Sequence, residues 1–110
     1  MKFVSYFLLL YFFGGRLMKE LLFSNEVMLE DEKVMKLDYS LTEEISKINQ
    51  SHYYGVKITK YLDDLIESDE TSVSESWEDT VEIIKKLYLF TVTPVSMVEI
   101  VDELVTQGGL

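Results

Sequence analysis

The sequence predicts an α+β fold: an antiparallel sheet of three to four strands followed by two C-terminal helices packed on one face. Three observations predict it. Residues 34–43 alternate apolar and polar with a period of two. Residues 53–62 are rich in β-branched and aromatic side chains. From residue 77 onward the apolar spacing becomes helical, and the one proline divides that stretch in two. Strands first and helices afterwards is the order of an α+β domain, not of a parallel α/β one.

The strands come in order. Lys19–Val27 is a first candidate, and the charged run Glu30–Lys33 a turn after it. In Val34–Glu43, Met35, Leu37, Tyr39 and Leu41 point to one face and Lys36, Asp38, Ser40 and Thr42 to the other, the signature of a half-buried strand. Ile45–His52 reads as a polar connection. Tyr53–Leu62 is a strand with Tyr54, Val56 and Ile58 on one face, and Gly55 marks a bulge within it. Leu65-Ile66 begins a short fourth strand. The acidic, serine-rich run Glu67–Ser76 reads as a solvated loop.

Two helices follow. Ser76 is an N-cap, and Glu78 and Asp79 oppose the positive end of the helix dipole. Trp77, Val81, Ile84 and Tyr88 fall on one stripe, so Trp77 is expected to anchor this helix on the sheet. Lys85 and Lys86 suit its C-terminal end. Thr93 then caps a second helix, with Pro94 at its first position, where no backbone N–H is missed. Val98, Val101 and Val105 make its stripe, with Leu104 beside it. Glu99, Asp102 and Glu103 face outward, and Gly108 stops the helix.

The N-terminus reads differently. Lys2 followed by the apolar run Phe3–Phe13 resembles the start of a secretory signal, but Phe12 or Phe13 would stand where a cleavage site needs a small residue. A spanning helix needs about 20 apolar residues, and Gly14-Gly15-Arg16 interrupts this run. Met18-Lys19-Glu20 looks like a bacterial start, and Gly14-Gly15 can be encoded by a ribosome-binding GGAGG. Residues 1–17 are therefore expected to be a translated leader or an apolar extension, and residues 18–110 a single domain.

The chain has 110 residues, with 10 Lys and Arg against 20 Asp and Glu. This excess of acid argues against unaided binding to nucleic acid or to an anionic membrane, since both need cations to neutralise phosphate. Cysteine is absent, which excludes disulfides, thiolate metal sites and cysteine nucleophiles, and fits a reducing cytoplasm.

No catalytic, cofactor-binding or metal-binding set emerges. His52, the one histidine, lies in the polar stretch NQSHYYG and reads as a surface loop residue, with no G-x-S-x-G elbow beside it. The run Asp63, Asp64, Glu67, Asp69 and Glu70 lacks the EF-hand pattern and its glycine, and reads as a solvated acidic surface. Gly14-Gly15 and Gly108-Gly109 lack the spacing and lysine of a phosphate loop. The aromatic residues sit at core-like spacings, except that Tyr53 and Tyr54, as strand neighbours, face opposite sides and leave one ring available to a partner.

The segments HYYGVKITKY and VEIIKKLYLFTVTPVSMVEIVDEL resemble an uncharacterised family of small clostridial proteins. The matching positions are Tyr54, Gly55, Val56, Ile58, Leu87, Val92, Thr93, Pro94 and Ile100. The resemblance covers most of residues 18–107. Members tend to begin with something like MKELLF, which agrees with Met18 as a start. The family carries no known activity, so it implies no catalytic residue and no cofactor. The aromatic YLF before V-T-P and the acidic serine-rich run depart from its pattern.

The resulting expectation is a small, acidic cytoplasmic protein that contacts an unknown protein partner and has no catalytic activity. Asp63, Asp64, Glu67, Asp69, Glu70, Tyr53 and Tyr54 are its candidate contact residues. Two alternatives stand beside it: a nucleic-acid mimic that inhibits a basic protein, and a membrane-tethered module held by residues 3–13.

Overall fold

A computed structural model describes residues 16–46 and 48–108. The order is β1 (Arg16–Met28), β2 (Val34–Ile45), β3 (His52–Leu62), β4 (Leu65–Ser74), α1 (Trp77–Leu89) and α2 (Pro94–Gly108). The four strands form one antiparallel sheet in the order β1-β2-β3-β4, and both helices pack on the same face of it. The predicted fold class is the observed one. The expected leader or extension, residues 1–17, falls largely outside the described residues; the backbone of Arg16 already pairs with Glu44.

Alternation along β2 sets the two faces. Met35, Leu37, Tyr39 and Leu41 are buried under the helices, joined by Val56 and Ile58 of β3 and Val73 of β4. A register shift between Leu21 and Phe23 lets both Leu22 and Phe23 of β1 pack on this core. Gly55 lies at a second shift, as expected. A Cβ there would run into the Thr71 carbonyl and come within 2.9 Å of Thr42 Oγ1, so only glycine lets β3 and β4 approach so closely.

Three sequence expectations are corrected. First, Glu67–Ser74 is not a loop: β4 runs through it, hydrogen-bonded to β3 from Leu62↔Leu65 to Tyr54↔Ser74. An edge strand tolerates the acidic and small polar residues that also mark loops, so composition alone misreads it. His52 likewise opens β3, paired with Ile45, instead of lying in the connection.

Second, the buried stripe of α1 is Thr80, Ile83, Ile84 and Leu87, and Trp77 is 49% exposed. Trp77 occupies the first helical position, immediately after the Ser76 cap, whose side chain accepts from the Asp79 N–H at 3.2 Å. The inward position there goes to Thr80, whose hydroxyl donates to the Ser76 carbonyl at 2.9 Å and is therefore satisfied when buried.

Third, α2 buries Pro94, Met97 and Val101, with Leu104 and Val105 partly covered, while Val98 is exposed. At its start the Ser96 N–H bonds to the Thr93 carbonyl at 3.2 Å.

The α1–α2 turn explains how the helices reverse. The Val92 N–H reaches the Leu87 carbonyl and the Thr91 N–H the Tyr88 carbonyl, the two bonds of a Schellman motif. Thr91 occupies the left-handed position at φ 56°, normally given to glycine, so this β-branched residue holds local strain. Burial of Val92 and Leu87 supplies the apolar contact that secures the motif.

Candidate functional site

The five acidic candidates converge on one edge of the sheet. Asp63 and Asp64 make the two-residue turn between β3 and β4, with Asp63 at φ 55°, a conformation Asp tolerates. Glu67 and Asp69 follow on the helix-bearing face of β4, and Glu70 on the opposite, open face. All five are exposed. Three lysines face them: Lys33 Nζ lies 2.9 Å from Asp63, Lys60 Nζ 3.3 Å from Glu67, and Lys57 stands opposite Glu70 in the strand register. Ion pairs this exposed contribute about 0–1 kcal/mol each, and they leave the edge negative.

Tyr53 and Tyr54 separate as strand neighbours must. Tyr53 pairs with Glu44 on the open face and is 38% exposed. Tyr54 turns to the helix-bearing face and packs against the core. Burial, then the charge and hydrogen bond of Glu43, push its hydroxyl pKa upward. Glu43 also holds His52, with Nδ1 2.5 Å from Oε2. Glu43, His52 and Tyr54 therefore form a small cluster at the end of the sheet where α1 begins, some way from the acidic edge.

A second cluster centres on Asp38 on the open face. Ser24 Oγ donates to its Oδ1 at 2.7 Å, and Lys36 Nζ stands 3.9 Å away and 5.4 Å from the centre of the Tyr61 ring. Burial, then the charge and hydrogen bond of Asp38, raise the Tyr61 pKa. Neither cluster was marked by the sequence as a site. The outward positions of β2 and their period of two could have found Asp38, but the cross-strand register that joins it to Ser24 and Tyr61 is not written in any local motif. Among the described residues, no three His, Asp or Glu side chains converge as a metal site requires, and no helix is long and apolar enough to cross a membrane.

No curated protein and no solved structure matches the chain. A family model does, over residues 18–107, the span most of which the sequence resemblance covers and one that holds β1 but for its first two residues, β2 to β4, α1 and all but the last residue of α2. The chain thus belongs to the family of unknown function DUF6514.

Proposed function

We propose that the protein is a small acidic interaction module without catalytic activity, which meets a basic partner protein along its β3–β4 edge. The observation that carries this reading is the gathering of Asp63, Asp64, Glu67, Asp69 and Glu70 on one sheet edge, exposed and in excess of the lysines Lys33, Lys57 and Lys60 that face them. Charge arranged in this way speeds encounter with a basic surface and repels acidic ones. A cytoplasmic setting is part of the proposal and rests on the cysteine-free sequence.

A nucleic-acid mimic needs its carboxylates ordered along one face. Here they divide between a turn and both faces of β4, which favours a protein partner. The membrane-tethered alternative rests on residues 3–13, outside the described residues.

The test uses the tagged full-length chain to capture a partner from the native cell, followed by association kinetics with that partner. Neutralising the five carboxylates together, or raising salt, should slow association and leave dissociation nearly unchanged, because exposed rim charges act mainly on encounter. An association rate equal at low and high salt would overturn the proposal.

A further inference from the structure

We infer that the partner enters this fold as a strand: a basic, extended segment pairs antiparallel with the outer edge of β4 and extends the sheet. This rests on the proposed meeting of a basic protein with the β3–β4 edge, and names how that protein is held. The backbone of β4 does the holding, and its carboxylates choose the occupant.

β4 is the last strand of the sheet and is paired on one side only. The two-residue turn Asp63-Asp64 makes Leu62 and Leu65 the closing pair, whose backbone groups bond each other. Every second residue after Leu65 faces β3 in the same way, and the backbone groups of Ile66, Ser68, Glu70 and Ser72 turn outward. One contact agrees with this phase: the Glu70 N–H donates at the surface to the Asp69 carboxylate, at 2.9 Å.

This edge lacks the usual protection. Exposed edges are ordinarily blunted by lysine, proline, bulges or a covering helix. β1, at the other side of the sheet, is interrupted by two register shifts. β4 runs from Leu65 to Ser72 without a shift and holds neither lysine nor proline. Leu65–Glu70 are all exposed, and the one buried residue of β4 is Val73 near its far end, so the helices leave this stretch uncovered. Charge is what guards it. A second copy would bring Glu67, Asp69 and Glu70 against the same three carboxylates, and like charges opposed across a ladder destabilise it. That guard reverses for a strand with lysine or arginine at those positions.

Register gives the pattern of the incoming strand. Run antiparallel to β4, its residues opposite Glu70, Asp69 and Glu67 are basic. Those opposite the exposed Ile66 and Leu65 are apolar. The order is basic-basic-x-basic-apolar-apolar. Main-chain bonds to Ile66, Ser68 and Ser72 supply affinity, and side chains on both faces supply choice. A cation opposite Asp69 also draws that carboxylate off the Glu70 N–H, which releases this donor to the new ladder.

The test titrates a labelled synthetic peptide, Thr-Lys-Lys-Thr-Lys-Val-Val-Thr, with the full-length chain at low salt, read by fluorescence anisotropy. Saturable binding is expected. Methylating the backbone nitrogens of its fourth and sixth residues, which face Ser68 and Ile66, should weaken binding by roughly tenfold or more, since donors are lost with no change in charge. Methylating the third and fifth, which point away from β4, should leave affinity near the unmodified value. Ser68→Pro removes an outward N–H and no bond to β3, and keeps all five carboxylates. It should weaken the unmodified peptide by a similar factor. Absence of saturable binding, or equal affinity for the two methylated peptides, would overturn strand addition. The acidic-edge reading fails by a different result, salt-independent association of the captured partner, so the two failures are told apart.

Discussion

Tyr39 joins the two layers of the fold at a single side chain. It is fully buried, its hydroxyl donates to the Val92 carbonyl at 2.9 Å, and the Tyr88 ring meets it edge-on with centroids 5.9 Å apart. Tyr88 in turn stacks on Phe23 of β1 at 4.6 Å. Burial pushes the Tyr39 pKa up to about 12 from 10.0; a hydrogen bond with Asn25 opposes the shift and Tyr88 adds to it. A folded-state pKa above the unfolded value means that the folded state holds its proton longer. The stabilisation is complete below pH 10 and is lost as pH climbs towards about 12. Two pKa units correspond to about 3 kcal/mol. Denaturant titrations across this window should show stability falling steeply with pH. Tyr39→Phe should flatten that slope, leaving the smaller contributions of Tyr54 and Tyr61, whose pKa values are also raised. At neutral pH the same change should cost about 1–3 kcal/mol, because the buried Val92 carbonyl loses its donor. An unaltered alkaline slope in Tyr39→Phe would show that Tyr39 does not govern it.

At the scale of elements, the helix α1 separates position from burial. Trp77 is the largest apolar residue of the segment, yet it lies at the helix start and is half exposed, while Leu87 is fully buried against the sheet. Leu87→Ala should cost about 2–5 kcal/mol through lost burial and the cavity left behind, whereas Trp77→Ala should cost less than about 1 kcal/mol. Urea midpoints of the two variants decide the order, and a larger loss in Trp77→Ala would reverse the assignment. The contrast shows what could be read from the residues alone. β2 and β3 were legible because alternation is a local property, and the Ser76 cap because its partner is three residues away. The phase of the α1 stripe was not, since Ile83-Ile84 and Val81 fit two stripes turned slightly from each other, and only the sheet beneath chooses between them. β4 hid for a different reason: an edge strand is selected to be unattractive to further strands, and the acidic residues that achieve this also resemble a loop. The candidate contact residues were legible as an exposed acidic run, but their gathering on one edge depends on β4 being a strand. The Asp38 and Glu43 clusters depend on register between strands, which no single segment encodes.

At the scale of the whole molecule, charge is distributed unevenly and acts against compactness. The formal net charge is −10, and α2 carries Glu99, Asp102 and Glu103 with no basic residue in its last turn. Attractive pairs that offset part of this include Lys33–Asp63 and Lys60–Glu67, both at the surface, and Lys36–Asp38, whose carboxylate is mostly covered. Each of the two surface pairs contributes about 0–1 kcal/mol and is weakened by salt. Repulsion among many unpaired carboxylates is longer in range, so screening relieves more of it than it removes from the short pairs. The sign follows: salt should stabilise this fold. Between 0.01 M and 0.15 M sodium chloride the screening length falls from about 30 Å to about 8 Å. A gain of about 1 kcal/mol, or about 4–8 °C in Tm, is expected for a domain of this size. Replacing Glu99, Asp102 and Glu103 together by their amides should raise Tm at low salt and reduce the salt response. Replacing Glu26 should not, because Lys36 stands opposite it in the sheet. A Tm that falls with sodium chloride would mean that the short ion pairs outweigh the net repulsion, and would reverse this account of the charge distribution.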